Sequence, residues 1–262
     1  MFIKRFHPKR LIPGIFRRIL EKKYNFLWNN SLLGKNNKSF ISNIKNKFKD
    51  EKLFLIANGP SLKDMDLTVL KDKHVMCMNR FYIYFDKIGF TPEFIVCVED
   101  FVLEQFADDF NKLNIKYKFM NWRKHKIIPN SNFLKESFAF NPFFQTDLTK
   151  PTHFGGTVTF ACLQLAYYLG FKEVIIVGMD HSFKEKGIAN KIEVRKYEKD
   201  ESHFDANYFP KGMKWKLPDL VKSEISYNIA KNIYENSGRK IIDCTIKGKC
   251  TIFEKGEFSN FI

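Results

Sequence analysis

From residue 53 onward the chain alternates short apolar runs with stretches of helical periodicity, and the runs share one kind of ending. Leu53-Phe54-Leu55-Ile56-Ala57 leads into Asn58-Gly59-Pro60-Ser61, and His74-Val75-Met76-Cys77-Met78 ends at Asn79-Arg80. Phe94-Ile95-Val96-Cys97-Val98 ends at Glu99-Asp100, Tyr117-Lys118-Phe119-Met120 at Asn121, and Val174-Ile175-Ile176-Val177 at Gly178-Met179-Asp180-His181. Short apolar runs bounded by turn residues read as buried strands. Strands alternating with helices build a mainly parallel α/β sheet with helices on both faces. Ligands of such sheets bind beyond the carboxyl ends of the strands. Asn58, Asn79, Asp100, Asn121 and Asp180 are therefore expected to line one edge. Mostly amides with few cations, that set suits hydroxyls and amides of a ribose and base.

Three further stretches point to the same edge. Gly59 lets backbone approach a ligand, Pro60 stiffens the turn, and Asn58 and Ser61 can bond a phosphate or ribose; the plainer alternative is that both only cap backbone. His153-Phe154-Gly155-Gly156-Thr157 precedes the strongest helical pattern, with Val158, Ala161, Cys162, Leu165, Ala166 and Leu169 on one face and Gly170 as its stop. Two glycines before a Thr-capped helix start make an anion site from free N–H groups and the positive dipole end, or else an ordinary flexible turn. Residues 182–218 are polar and aromatic with little periodicity, and loops that long are commonly lids. His203 within it is a candidate general base, because imidazole titrates near neutral pH. The Asp64-Met65-Asp66 pair could hold a metal and a diphosphate, but Asp66 more simply caps a short helix at 67–70, and no metal cluster is expected. A closing helix is expected over 219–236, a core strand over 240–243 and an edge strand over 250–253; residues 122–150 are assigned only as an irregular connection.

The charge is lopsided. The net charge is +15, and residues 1–50 carry 13 Lys and Arg against 2 Asp and Glu, so the rest is close to balanced. The expected organisation is a basic helix and linker over 1–50 followed by one domain over 51–262. Ile12, Ile15, Phe16, Ile19, Leu20, Tyr24, Leu27 and Trp28 recur at helical spacing, with Arg17, Arg18, Lys22 and Lys23 largely off that face. Such a helix over residues 1–30 can lie on an anionic membrane surface, pack on its own domain or on a second subunit of a homo-oligomer, or meet nucleic acid. No apolar run is long enough to span a bilayer, and the charges break any secretory signal. The five cysteines form no Cys-x-x-Cys pair, which suits buried reduced thiols and a cytoplasmic setting.

Ala57-Asn58-Gly59-Pro60-Ser61-Leu62 resembles the Gly-Asn-Gly-Pro-Ser-Leu of the glycosyltransferase family 42 sialyltransferases. Met78-Asn79-Arg80-Phe81 resembles their Cys-Asn-Gln-Phe, and Leu169-Gly170-Phe171-Lys172-Glu173-Val174 with Gly178-Met179-Asp180 resembles their Leu-Gly-Tyr-Lys-Glu-Ile and Gly-Ile-Asp. Gly155-Gly156-Thr157-Val158 with Gly178-Met179-Asp180-His181-Ser182-Phe183 more closely resembles the 6-hydroxymethylpterin diphosphokinase-like family, which includes motility accessory factors linked to nonulosonic-acid transfer. The resemblance covers residues 53–255 in patches. It departs where the sialyltransferases place their basic histidine, since Ser202-His203-Phe204 matches the start of that motif and Asn207 stands at the base position. Glu99-Asp100 likewise replaces their asparagine after the third strand.

The resemblance implies a Rossmann-like fold and a glycosyltransferase of surface glycan synthesis, peripheral on the inner face of the membrane. The donor would be a CMP-activated sialic, Kdo or nonulosonic sugar, the acceptor a glycan or glycolipid hydroxyl, and no metal cofactor would be needed. Asn58, Gly59, Pro60, Ser61, Asn79, Arg80, Asp100, Gly155, Gly156, Thr157, Gly178 and Asp180 would hold the donor, and His203, Asp205 or His181 would act as base. The rival enzyme is a Mg-dependent diphosphokinase of a pterin-like alcohol, and the non-enzymatic rival a membrane- or nucleic-acid-associated protein.

Overall fold

In the computed structural model, residues 8–184 and 187–262 are described, with the side chains of residues 8–18 outside the description. Eight strands form the main sheet: β1 (Lys52–Ile56), β2 (Val75–Met78), β3 (Phe94–Cys97), β4 (Tyr117–Asn121), β5 (Asn132–Leu134), β6 (Glu173–Val177), β9 (Lys240–Asp243) and β10 (Glu254–Lys255). Their order is β10-β9-β6-β1-β2-β3-β4-β5, every neighbouring pair parallel. A separate antiparallel hairpin joins β7 (Ile192–Val194) to β8 (Lys214–Lys216). The helices are α1 (Pro8–Asn30), α2 (Leu32–Asn43), α3 (Phe85–Ile88), α4 (Asp100–Gln105), α5 (Ala107–Lys112), α6 (Val158–Leu169) and α7 (Leu220–Asn236). This is the Rossmann-like α/β fold expected from the alternation.

The chain runs outward from β1 through β2, β3, β4 and β5, then returns to place β6 on the other side of β1. The order therefore reverses between β1 and β6, where such sheets open a ligand crevice. Central strands read as continuous apolar runs because both faces are covered; β1, β2, β3 and β6 are buried along nearly their whole length. Helix α6 is buried almost all round, which explains its apolar composition. All five cysteines are buried and free, and burial pushes the thiols of Cys77, Cys97 and Cys162 up.

Three expectations need correcting. The edge strand expected at 250–253 sits further on, at Glu254–Lys255. Residues 122–150 contain β5, too short at three residues to show a period. And residues 34–50, expected to be a linker with room for one more helix, hold that helix but pack on the domain instead of linking: α2 starts on the Ser31 cap, whose Oγ accepts from Gly34 N at 3.0 Å, and Asn37 clips the free edge of β5 by accepting from Phe133 N (2.8 Å) and donating to Phe133 O (3.0 Å). Phe48 N and Asp50 N donate to Leu169 O and Gly170 O (2.9 and 3.1 Å), two carbonyls left over at the end of α6. Trp28, Ile41, Ile44 and Phe48 belong to the same buried cluster as the strands, so packing does not break at residue 50.

Of the apolar face predicted for α1, Tyr24, Leu27 and Trp28 join this packing, while Ile19, expected on the same face, is exposed. Trp28 is 1% exposed, meets Trp122 edge-on at 5.1 Å and donates to Thr149 O at 3.0 Å, while Trp122 donates to Tyr24 O at 3.2 Å. The side chains of Ile12, Ile15, Phe16, Arg17 and Arg18 lie outside the described residues. Trp28→Ala is expected to cost about 3–5 kcal/mol, the range for deleting a buried aromatic ring. A urea titration reads it, and an unchanged midpoint would mean that α1 is a detachable arm.

Candidate active site

The strand exits converge on one cleft of about 410 Å³. Asn58, Asn79, Asp100, Asn121 and Asp180 all line it, with Gly59, Gly155, Gly156, Thr157, Gly178, His181 and His203. Pro60, Ser61, Arg80 and Asp205 are not on its lining.

The floor is a lock between two motifs far apart in sequence. Asp180, after β6, accepts from Ser61 Oγ at 2.6 Å and from Ser61 N at 3.2 Å. Gly59 N donates to Gly178 O at 2.8 Å, continuing the β1–β6 pairing past both strand ends. A Cβ on Gly59 would stand 1.8 Å from Asp180 Oδ2, so only glycine fits beneath that carboxylate. Ser61 thus serves the site by holding Asp180. Burial raises the Asp180 carboxyl against the lowering effect of the Ser61 bonds. Asp66 accepts from Thr68 N (3.0 Å) and Oγ1 (2.6 Å) in a local turn just ahead of the short helix Thr68–Leu70, whose N-cap is Leu67.

Beside the floor, two amides wait for partners. Oδ1 of Asn58 and Oδ1 of Asn79 are buried and lack a hydrogen bond among the described residues. Asn79 also holds a left-handed φ of 50°, uncommon for a residue with a Cβ. Buried acceptors without donors are rare unless a ligand supplies them.

One wall is the glycine turn at the start of α6. Gly155 and Gly156 take consecutive left-handed φ values of 65° and 78°, and Thr157 caps α6 by accepting from Thr159 N at 3.3 Å. Ser226 Oγ donates to Gly155 O and His153 Nδ1 accepts from Gly155 N, both at 2.9 Å, so the turn is fixed from two sides. The Lys222 side chain crosses it, 3.3 Å from where a Gly156 Cβ would sit. Burial and the Lys222 charge push His153 towards its neutral form.

The opposite wall is a charge network. Arg123 Nη1 lies 3.1 Å from Asp100 Oδ2 and 3.4 Å from Glu136 Oε2, and Asn121 Nδ2 donates to Asp100 Oδ1 at 3.2 Å. Burial, with Asp100 nearby, raises the Glu136 carboxyl despite Arg123. The sign follows: a carboxyl raised in the folded state makes stability fall as pH climbs from its ordinary value through the raised one. Glu136→Gln should therefore equal the parent near about pH 4 and match or exceed it in melting temperature at neutral pH. A clear loss at neutral pH would show that the Arg123 pairing outweighs the burial.

The long loop between β6 and α7 supplies a histidine and an acid beside it. Asp200 Oδ2 lies 2.9 Å from His203 Nδ1, and Arg195 Nη2 lies 3.4 Å from Asp200 Oδ1. Burial alone would raise Asp200, but the His203 hydrogen bond and the charges of His203 and Arg195 hold its carboxyl below the usual range. With Nδ1 committed to Asp200, Nε2 is the nitrogen left for a substrate, and it makes no hydrogen bond among the described residues. The His203 ring stacks on Tyr208 at 4.0 Å and 7°. Arg80 Nη1 donates to Tyr208 O and, at 3.1 Å, to Asn207 O, with its guanidinium 3.6 Å over Phe106. Arg80 therefore braces the lid behind His203. Asp205 accepts from Asn207 N at 2.7 Å in a local turn, and His181 Nε2 is 2.9 Å from Glu224 Oε1 on α7.

Sequence reasoning missed Asp200, Glu136, Arg123 and Lys222. Asp200 precedes His203 by three residues and Arg123 follows Asn121 by two, spacings that could have drawn notice; Glu136 and Lys222 come from the stretch after β5 and from α7. The family described as 6-hydroxymethylpterin diphosphokinase MptE-like matches residues 29–186, which include the floor, the Gly155-Gly156-Thr157 turn and the charge network. No curated protein matches the chain.

Proposed function

The chain belongs to the 6-hydroxymethylpterin diphosphokinase MptE-like family, and from that premise we propose that its cleft moves a diphosphoryl group from a nucleoside triphosphate onto the hydroxyl of a pterin-like alcohol. The observation that carries the reading is His203, backed by the buried Asp200, on the lining of the cleft that also holds the Gly155-Gly156-Thr157 turn. A hydroxyl needs a base, and a polyphosphate needs backbone N–H groups and a cation.

The roles follow from the walls. The glycine turn, the start of α6 and Lys222 hold the polyphosphate. Asn58 and Asn79 receive N–H or O–H donors of a base or ribose. His203 Nε2 takes the proton as the substrate oxygen bonds to the β-phosphorus and the bond from that phosphorus to the α-phosphate oxygen breaks, releasing the nucleoside monophosphate. Asp200 stabilises the imidazolium that forms.

Such transfers use Mg²⁺, which neutralises phosphoryl charge when bound. The described residues hold no group of three or more His, Cys, Asp or Glu arranged for a metal. A cation arriving on a triphosphate needs only one or two protein carboxylates. Glu99, Asp100 and Glu136 are engaged by Lys216 and Arg123 at 2.9, 3.1 and 3.4 Å. Asp180, with no Lys or Arg partner among the described residues, is the carboxylate that fits.

Glycosyl transfer from a CMP-activated sugar is the second reading, favoured by the Asn58-Gly59-Pro60-Ser61 and Ser202-His203-Phe204 runs. It would use the same base and amides without a metal. A thermal-shift panel of ATP, GTP, CMP, CDP and UDP, each with and without Mg²⁺, separates the two. Stabilisation by ATP with Mg²⁺, and AMP release only when 6-hydroxymethylpterin is added, is the expected result. Stabilisation by CMP alone, with ATP inert, would replace diphosphoryl with glycosyl transfer.

A further inference from the structure

The face of α1 that packs on the domain is not the face that carries its charge. Tyr24, Leu27 and Trp28 turn inward, while Ile19, Lys22, Lys23 and Phe26 are exposed, Ile19 by 58% and Phe26 by 66%. Residues 19, 22, 23, 26 and 30 fall within one outward stripe at helical spacing. Where α1 meets α2, Leu32 and Leu33 add to the exposed apolar surface, at 74% and 40%. Toward the N-terminus the same helix contains Lys9, Arg10, Arg17 and Arg18 and no acidic residue before Glu21.

We propose that this outward stripe of α1, with Leu32 and Leu33, docks the protein on an anionic lipid surface. Exposed large apolar side chains between lysines match a bilayer interface, where rings and aliphatic chains enter below the headgroups and ammonium groups stay among the phosphates. Two rival occupants fit less well. A second copy meeting this face by two-fold symmetry would set lysines against lysines. Nucleic acid would reward the charge but leave Ile19, Leu32 and Leu33 without a role. The helix lies flat: no helix of the described residues is long and apolar enough to cross a membrane. The inference does not depend on the chemistry of the cleft.

Co-sedimentation of the full chain with phosphatidylcholine vesicles, with and without phosphatidylglycerol, tests it. Binding is expected only to the anionic vesicles and should fall as salt rises. Lys22→Ala with Lys23→Ala should weaken it on the order of 30-fold, about five-fold for each charge near an anionic leaflet. Phe26→Ser should weaken it roughly tenfold through lost apolar burial. These side chains are exposed, so circular dichroism and the melting temperature should not change. Equal binding to neutral vesicles, no binding at all, or variants that bind like the parent would overturn the proposal. So would a dimer in light scattering that Phe26→Ser dissolves, or binding to random-sequence duplex DNA with none to vesicles.

Discussion

Replacing His203 by alanine is expected to lower turnover by about 10²- to 10⁴-fold while the affinity for nucleotide stays near that of the parent. Among the described residues the ring's partners are Asp200, Tyr208, Phe209 and Phe183 rather than the glycine turn, so ground-state binding of a polyphosphate should survive its loss. Because His203 is buried against Tyr208, its removal also loosens the lid. Asp200→Asn is the cleaner companion. It keeps the volume, but an amide can offer Nδ1 a donor where the carboxylate can only accept, so the wrong tautomer becomes available and turnover should fall by at least about 10²-fold. The pH–rate profile decides between base and scaffold. A base role predicts that Asp200→Asn changes that profile, because the imidazolium formed in the reaction loses its carboxylate partner. A profile unmoved in Asp200→Asn, with turnover intact, would leave His203 a packing residue of the lid.

Gly59→Ala is expected to disable the site from below. Its Cβ would stand 1.8 Å from Asp180 Oδ2 and 2.6 Å from the Gly178 carbonyl, and the latter is backbone that cannot swing away. The β1 and β6 exits must part, at a cost of about 1–3 kcal/mol, as for other overpacked positions. Asp180 would lose its bonds to Ser61, and nucleotide binding should drop with stability. Gly89→Ala is the control. Gly89 is left-handed, at φ 74°, but nothing lies within 4 Å of its added Cβ, so it should show backbone strain alone and normal ligand binding. Urea denaturation and nucleotide titration of both variants make the comparison. If Gly59→Ala keeps the parent's midpoint and affinity, Asp180 is not pinned where the floor requires it.

The frame of the fold was legible because buried parallel strands write themselves as apolar runs, and Asn58, Asn79, Asp100, Asn121 and Asp180 then fell on one edge by topology alone. What escaped notice depended on contacts between distant residues. Asn37 looks like a linker residue until Phe133 is placed against it. Phe48 looks solvated until it stacks on Phe171 at 5.0 Å. Arg80 was expected at the donor from the resemblance of Met78-Asn79-Arg80-Phe81, yet the carbonyls of Asn207 and Tyr208, in a loop without periodicity, turn it away from the cleft. Asp200 went unread for a similar reason: one carboxylate among many in a charged loop has no signature until its histidine is seen 2.9 Å away.

The anchoring of α1 has a consequence for how the protein is made. Trp28 finds its acceptor on Thr149, 121 residues later, and Asn37 finds Phe133 after 96. At ribosomal speeds of about 5–20 residues per second, the first helix emerges roughly 6–24 s before its seat exists. Throughout that interval the inward face, tryptophan included, stays uncovered beside a run of basic residues. A segment synthesised well before its seat is thus among the last to settle, and a nascent chain stalled before residue 149 would present α1 with Trp28 uncovered beside its basic residues.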